Sequence, residues 1–104
     1  MAKEITKEIF DQISQEQDKL IVLDFHADWC GPCKTIGPII EELSNQYPDV
    51  HIGKVNVDDN PELSTMFGIR NIPTVLFIKG GQVVDKQIGA AQKNTYEDKI
   101  TKLK

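Results

Sequence analysis

Two cysteines in 104 residues are too few for the disulfide framework of a small secreted domain. They stand only three positions apart, at Cys30 and Cys33, where a bridge would close too small a loop to act as a staple, so a reactive pair is the better reading. Long hydrophobic runs are missing too: the stretch Leu20 to Leu23 is far short of a membrane span. The opening residues, Met1 to Glu8, carry no apolar segment of the signal-peptide kind, and a complete cytoplasmic product is the expectation. There is no basic tract. Twelve Lys and Arg against sixteen Asp and Glu leave a net charge of −4, which argues against a general nucleic-acid footprint. Nor is the chain short of hydrophobic residues, at 39%, as a disordered segment would be. No repeat, linker or low-complexity segment divides it, so one domain over residues 1–104, large enough to bury its own core, is expected.

What is present reads as alternating helices and strands. Ile5, Ile9 and Ile13 recur every four residues, predicting a first helix capped by Thr6, with a short edge strand before it. Leu20 to His26 is apolar on both alternating faces until Asp24, the pattern of a strand covered on both sides in the middle of a parallel sheet. Ile36, Ile39, Ile40, Leu43 and Tyr47 mark a helical face that Pro38 should bend and Pro48-Asp49 should end. Val50 to Val57 is strand-like, and Asn60-Pro61-Glu62 predicts the cap and first turn of a short helix stopped at Gly68. Thr74 to Lys79 and Gln82 to Ile88 flank Gly80-Gly81 as a tight hairpin. A last helix is predicted from an Asn94-x-x-Glu97 capping pair through Tyr96, Ile100 and Leu103. The expected fold is α/β, a central mixed β-sheet flanked by helices with a C-terminal antiparallel hairpin.

The chemistry concentrates where the apolar strand ends. Trp29-Cys30-Gly31-Pro32-Cys33-Lys34 opens a helix, so Cys30 falls at a helix N-terminus, where free amides and the positive end of the dipole favour a thiolate. Cys30 is therefore the candidate nucleophile. Cys33, one turn on and facing inward, is placed to attack the mixed disulfide that Cys30 forms and release the product. A Cys-Cys-His-His metal set with His26 and His51 is the rival reading. It is disfavoured because one histidine precedes the cysteines on a strand and the other opens a separate strand, without the spacing of paired ligands.

The segment Asp24-Phe25-His26-Ala27-Asp28-Trp29-Cys30-Gly31-Pro32-Cys33 resembles the active site of the thioredoxin family. Gly68-Ile69-Arg70-Asn71-Ile72-Pro73-Thr74 resembles the family's second segment, and Gly80-Gly81 and Ile88-Gly89-Ala90 fall where its later glycines belong. The likeness spans nearly the whole chain and implies a thioredoxin-fold protein-disulfide reductase. Such an enzyme serves electron transport and cell redox homeostasis with no bound cofactor beyond the Cys30-Cys33 disulfide. Its implied partners are disulfide-containing proteins and, as electron donor, a thioredoxin reductase, which is a flavin enzyme; the working form is expected to be a cytoplasmic monomer.

By the same resemblance Asp24 is a buried acid beneath the cysteines that takes the proton of Cys33, against the plainer reading of a carboxylate capping backbone. Lys54 resembles the lysine near that acid, with an ordinary exposed lysine as the alternative. Ile72-Pro73 resembles the family's cis-proline segment. Trp29, Gly31, Pro32, Ile72, Pro73, Gly89 and Ala90 would then form an apolar rim on which a substrate backbone docks. His26 and Gly37 depart from the family pattern. His26 is read chiefly as a structural histidine, the alternative being that it faces the redox site and couples to its titration. A disulfide oxidant or isomerase, and a partner-binding module without turnover, are the remaining functional alternatives.

Overall fold

The computed structural model describes residues 2–104. Strand β1 (Lys3–Glu4) leads into helix α1 (Lys7–Ile13), whose first turn is capped as expected: the Thr6 hydroxyl accepts the Ile9 amide at 3.3 Å. There follow β2 (Ile21–His26), α2 (Gly31–Gln46), β3 (His51–Asn56), α3 (Pro61–Met66), β4 (Thr74–Lys79), β5 (Gln82–Ile88) and α4 (Lys93–Leu103). The strands form one mixed sheet in the order β1-β3-β2-β4-β5.

β2 holds the centre of that sheet, but it is not the middle of a parallel one. It runs parallel to β3 and antiparallel to β4. A long crossover through α2 brings β3 back in the same direction, whereas β4 enters from the far end after the short α3. The antiparallel β4–β5 hairpin is as expected, turning at Gly80 and Gly81 with φ of +61° and +77°, a mirror-image turn that side chains with a Cβ rarely adopt.

Alternation along the strands divides the core between two faces. Leu20, Val22, Val75 and Phe77 pack with Ile36, Ile40 and Leu43 of α2 and with Tyr96 and Ile100 of α4. Ile21, Leu23, Phe25, Leu76 and Ile78 pack on the other side with Phe10 of α1 and Leu63 of α3. Asp24 follows Leu20 and Val22 in parity and so points into the α2/α4 side.

One helix start lies where expected but without a cap bond, and another differs from expectation. Asn60 stands at the cap of α3, yet its side chain makes no cap bond and instead donates to the Asn56 carbonyl at 3.1 Å. α4 is capped by Gln92, not Asn94, with no side-chain cap bond, and Glu97 accepts from Gln46 at 2.8 Å instead of closing a capping box. Complete burial of Tyr96 and Ile100 sets the phase of this helix, and a cap bond worth about 1 kcal/mol does not compete with burying two large side chains. α2 is continuous through Pro38, although that residue offers no amide to the Lys34 carbonyl.

Candidate active site

The end of β2, the turn Ala27 to Trp29 and the first turn of α2 build the site. Cys30 is the N-cap of α2, in extended conformation, and Pro32 in the first helical turn lacks the amide that would have no partner there. Cys30 and Cys33 form a disulfide with their Cα atoms 5.3 Å apart, and each is only 5% exposed. The Cys33 amide donates to Cys30 Sγ at 3.2 Å. A sulfur seated as helix cap meets the positive end of the dipole and a directed N–H, which together favour negative charge on it. Ala27, Val57 and Ile72 pack around the pair.

Around the cysteines lies an exposed strip. Trp29 is 71% exposed and Gly31 and Pro32 are exposed at the helix start. The indole is not loose: its Nε1 donates to Asp58 Oδ2 at 2.9 Å. Asn56, nearly buried, accepts the amides of Asp58 and Asp59 at 2.9 and 3.2 Å and so shapes the turn that presents Asp58. On the opposite side the Ile72–Pro73 peptide is cis, Pro73 is buried and Ile72 half-buried. Gly89, at φ +84°, donates its amide to the Pro73 carbonyl at 2.8 Å, which ties the loop after β5 to the proline segment. Ala90 is exposed just beyond.

Behind the cysteines, Asp24 is 1% exposed and its Oδ1 has no hydrogen-bond partner. Burial pushes its pKa up from 3.8 to about 7, with Lys54 opposing the rise and Glu4 adding to it. Lys54 is its register partner on β3, and the Lys54 ammonium lies 3.1 Å from the Glu41 carboxylate on α2. A cavity of about 840 Å³ is lined by Asp24, His26, Cys33, Gly37, Glu41 and Lys54, among others. Through it the buried acid and the inner cysteine share one space.

His26 is half-buried on this cavity, with Nε2 3.9 Å from Glu4. His51 is paired with Glu16 at the other end of β3 from Asn56, the register partner of His26, so the two histidines do not converge on the cysteines. Asp58, Asn56 and Glu41 carry no motif that marks them in the sequence. The run Asn56-Val57-Asp58-Asp59, polar residues at the end of a strand neighbouring the cysteine strand, was the available signal for the first two.

The sole tryptophan lies next to a disulfide, and this yields a simple spectroscopic expectation. Reducing the protein with a dithiol changes the intensity of Trp29 emission, and superimposable oxidised and reduced spectra would show that the indole does not sense the cysteine pair.

Comparison with known proteins agrees with this geometry. Residues 1–102 match the family model described as Thioredoxin. The chain is 47% identical over 98 residues to the thioredoxin of Chlorobaculum thiosulfatiphilum, covering 93% of this chain and 91% of that one. Identity to the thioredoxin of Rickettsia felis is 42% over 103 residues and 98% of both chains. The X-ray structure of Fasciola hepatica thioredoxin superposes with a TM-score of 0.89 at 37% identity, over 100% of each chain.

Proposed function

This chain belongs to the thioredoxin family and is a thiol-disulfide oxidoreductase with disulfide-reductase activity, and from that premise we propose which residues perform each step. Cys30 attacks first. Its thiolate displaces one sulfur of a substrate disulfide, forming a Cys30–substrate disulfide and releasing one substrate thiolate. Cys33 then gives up its proton and attacks Cys30 Sγ, which re-forms the Cys30–Cys33 disulfide and releases the second substrate thiolate. The substrate has gained two electrons and the protein has lost two. The observation that carries this assignment is the Cys33 amide directed at Cys30 Sγ, because it puts the stabilised charge on the outer cysteine.

Asp24 takes the proton of Cys33. With its pKa raised to about 7 it can exchange a proton near neutral pH, and the shared cavity gives that proton a path. Lys54 holds the carboxylate form within reach by its charge, and Glu41 anchors Lys54. Trp29, Gly31, Pro32, Ile72, Pro73, Gly89 and Ala90 form the docking rim. The substrates are disulfide-containing proteins laid on that rim as extended backbone. A thioredoxin reductase returns the disulfide to the dithiol, no cofactor is bound, and the protein works as a monomer in the cytoplasm. Among the described residues no helix is long and apolar enough to cross a membrane.

The test is a coupled assay of protein-disulfide reduction, with and without a thioredoxin reductase and its electron source. Sustained turnover only with the reductase is the expected result, and turnover that stops after one equivalent in its presence would refute the recycling step. A separate expectation concerns His26, which faces Glu4 and lines the inner cavity, away from the exposed rim. His26→Phe leaves the pH profile of Cys30 alkylation in the reduced protein unchanged. A profile moved to higher pH would instead make His26 a contributor to the thiolate's stability.

A further inference from the structure

Two oxygens are buried in the same half of the core without a hydrogen bond: Oδ1 of Asp24 and the hydroxyl of Tyr96. Tyr96 is 0% exposed in the first half of α4, a place where the periodicity of the sequence calls only for an apolar side chain. It belongs to the cluster formed by Val22, Val75 and Phe77. Val75 is the register partner of Asp24 and Phe77 that of Val22, so the acid and the phenol are directed into one layer from the strand and the helix that bound it. The charge of Asp24 is felt at the phenol, where it adds to burial in pushing the Tyr96 pKa up. The Ala91 backbone amide opposes that rise from the acceptor side of the phenol oxygen, which leaves the hydroxyl proton without a partner.

Buried polar groups are rarely left unsatisfied, and where a polar site has room a buried water commonly serves groups that no protein atom reaches. We propose that Tyr96 is a positioning residue for the buried acid, its hydroxyl donating through one buried water to Oδ1 of Asp24. A donor favours the charged form of a carboxyl group. It therefore opposes burial, together with Lys54 from β3, while Glu4 from β1 acts in the other direction; His26 on β2 and Cys33 and Glu41 on α2 face the same cavity. The consequence is a carboxylate able to accept a proton at neutral pH, where an acid held protonated could not. That consequence rests on Asp24 being the acceptor for Cys33; the hydrogen bond itself does not.

Carbon-13 NMR titration of the oxidised protein tests the bond. In Tyr96→Phe the Asp24 carboxyl midpoint moves upward by about one pH unit, the size expected of one lost hydrogen bond to a charged group. A midpoint that stays put or falls overturns the proposal. The unmutated protein supplies a second reading that does not depend on Tyr96→Phe folding. The Tyr96 Cζ resonance shifts with the Asp24 midpoint while that of Tyr47 does not, and in Asp24→Asn the step disappears. A Tyr96 resonance without that step overturns the proposal equally. Asp24 failing as the proton acceptor would show itself differently, as unchanged mixed-disulfide resolution in Asp24→Asn with both titrations still as described.

Discussion

Cys33→Ser attacks a disulfide substrate once and remains bound to it, so that intact-mass analysis finds the protein plus one substrate chain, released by added dithiol. Cys30→Ser forms no such adduct, and its turnover falls to the background of uncatalysed thiol exchange. The asymmetry follows from the place of each sulfur. Cys30 caps α2 and receives the Cys33 amide, whereas Cys33 lies one turn inside, with Ala27, Val57 and Ile72 packed around the pair. Both are almost fully buried in the disulfide form, so static exposure does not distinguish them, and charge stabilisation does. Adducts on Cys33 in the Cys30→Ser protein, with none in Cys33→Ser, would reverse the roles.

Asp24→Asn stabilises the protein at neutral and alkaline pH and hardly changes it in acid. The sign follows from the raised pKa. Between 3.8 and about 7 the native state binds a proton that the unfolded chain has lost, so the native protein loses stability as pH rises through that interval. Below it the acid is neutral in both states and resembles the amide. At about 1.4 kcal/mol per pH unit, the interval corresponds to about 4 kcal/mol in favour of the asparagine variant above pH 7. Denaturant melts of the two proteins at about pH 4 and about pH 8 measure the gap, and an equal gap at both would remove the buried charge as its cause. With Asp24 in its proposed role as the proton acceptor for Cys33, the same substitution is expected to slow the release of product from the mixed disulfide.

The parts of this molecule that were legible in the sequence are those written by burial and by local backbone chemistry. The apolar face of α2, the doubly covered β2, the Gly80-Gly81 turn and Cys30 at a helix start are of that kind, each signalled within a few residues. What was misread depends on partners far along the chain. Asn94 and Glu97 have a capping pattern, but Gln46, 51 residues from Glu97, takes the carboxylate and burial of Tyr96 moves the helix start. The two neighbours of β2 run in opposite directions because of the chain between strands, which periodicity within a strand does not encode. The Trp29–Asp58 bond spans 29 residues and joins two loops, and neither residue alone announces it. Tyr96 was legible as core and not as a donor, since an aromatic at an apolar helix position looks the same whether or not its hydroxyl is used.

A redox pair sunk this far into the protein also decides what may oxidise it. With each cysteine 5% exposed, a partner on the proposed docking rim has to bring its own disulfide down to the buried pair with a segment narrow enough to reach it. Disulfides inside well-packed domains cannot make that approach until their surroundings open. On that reading, client choice is expected to follow how often each client exposes a strand more than the driving force of exchange, and reactivity with a series of partners is expected to track their local unfolding.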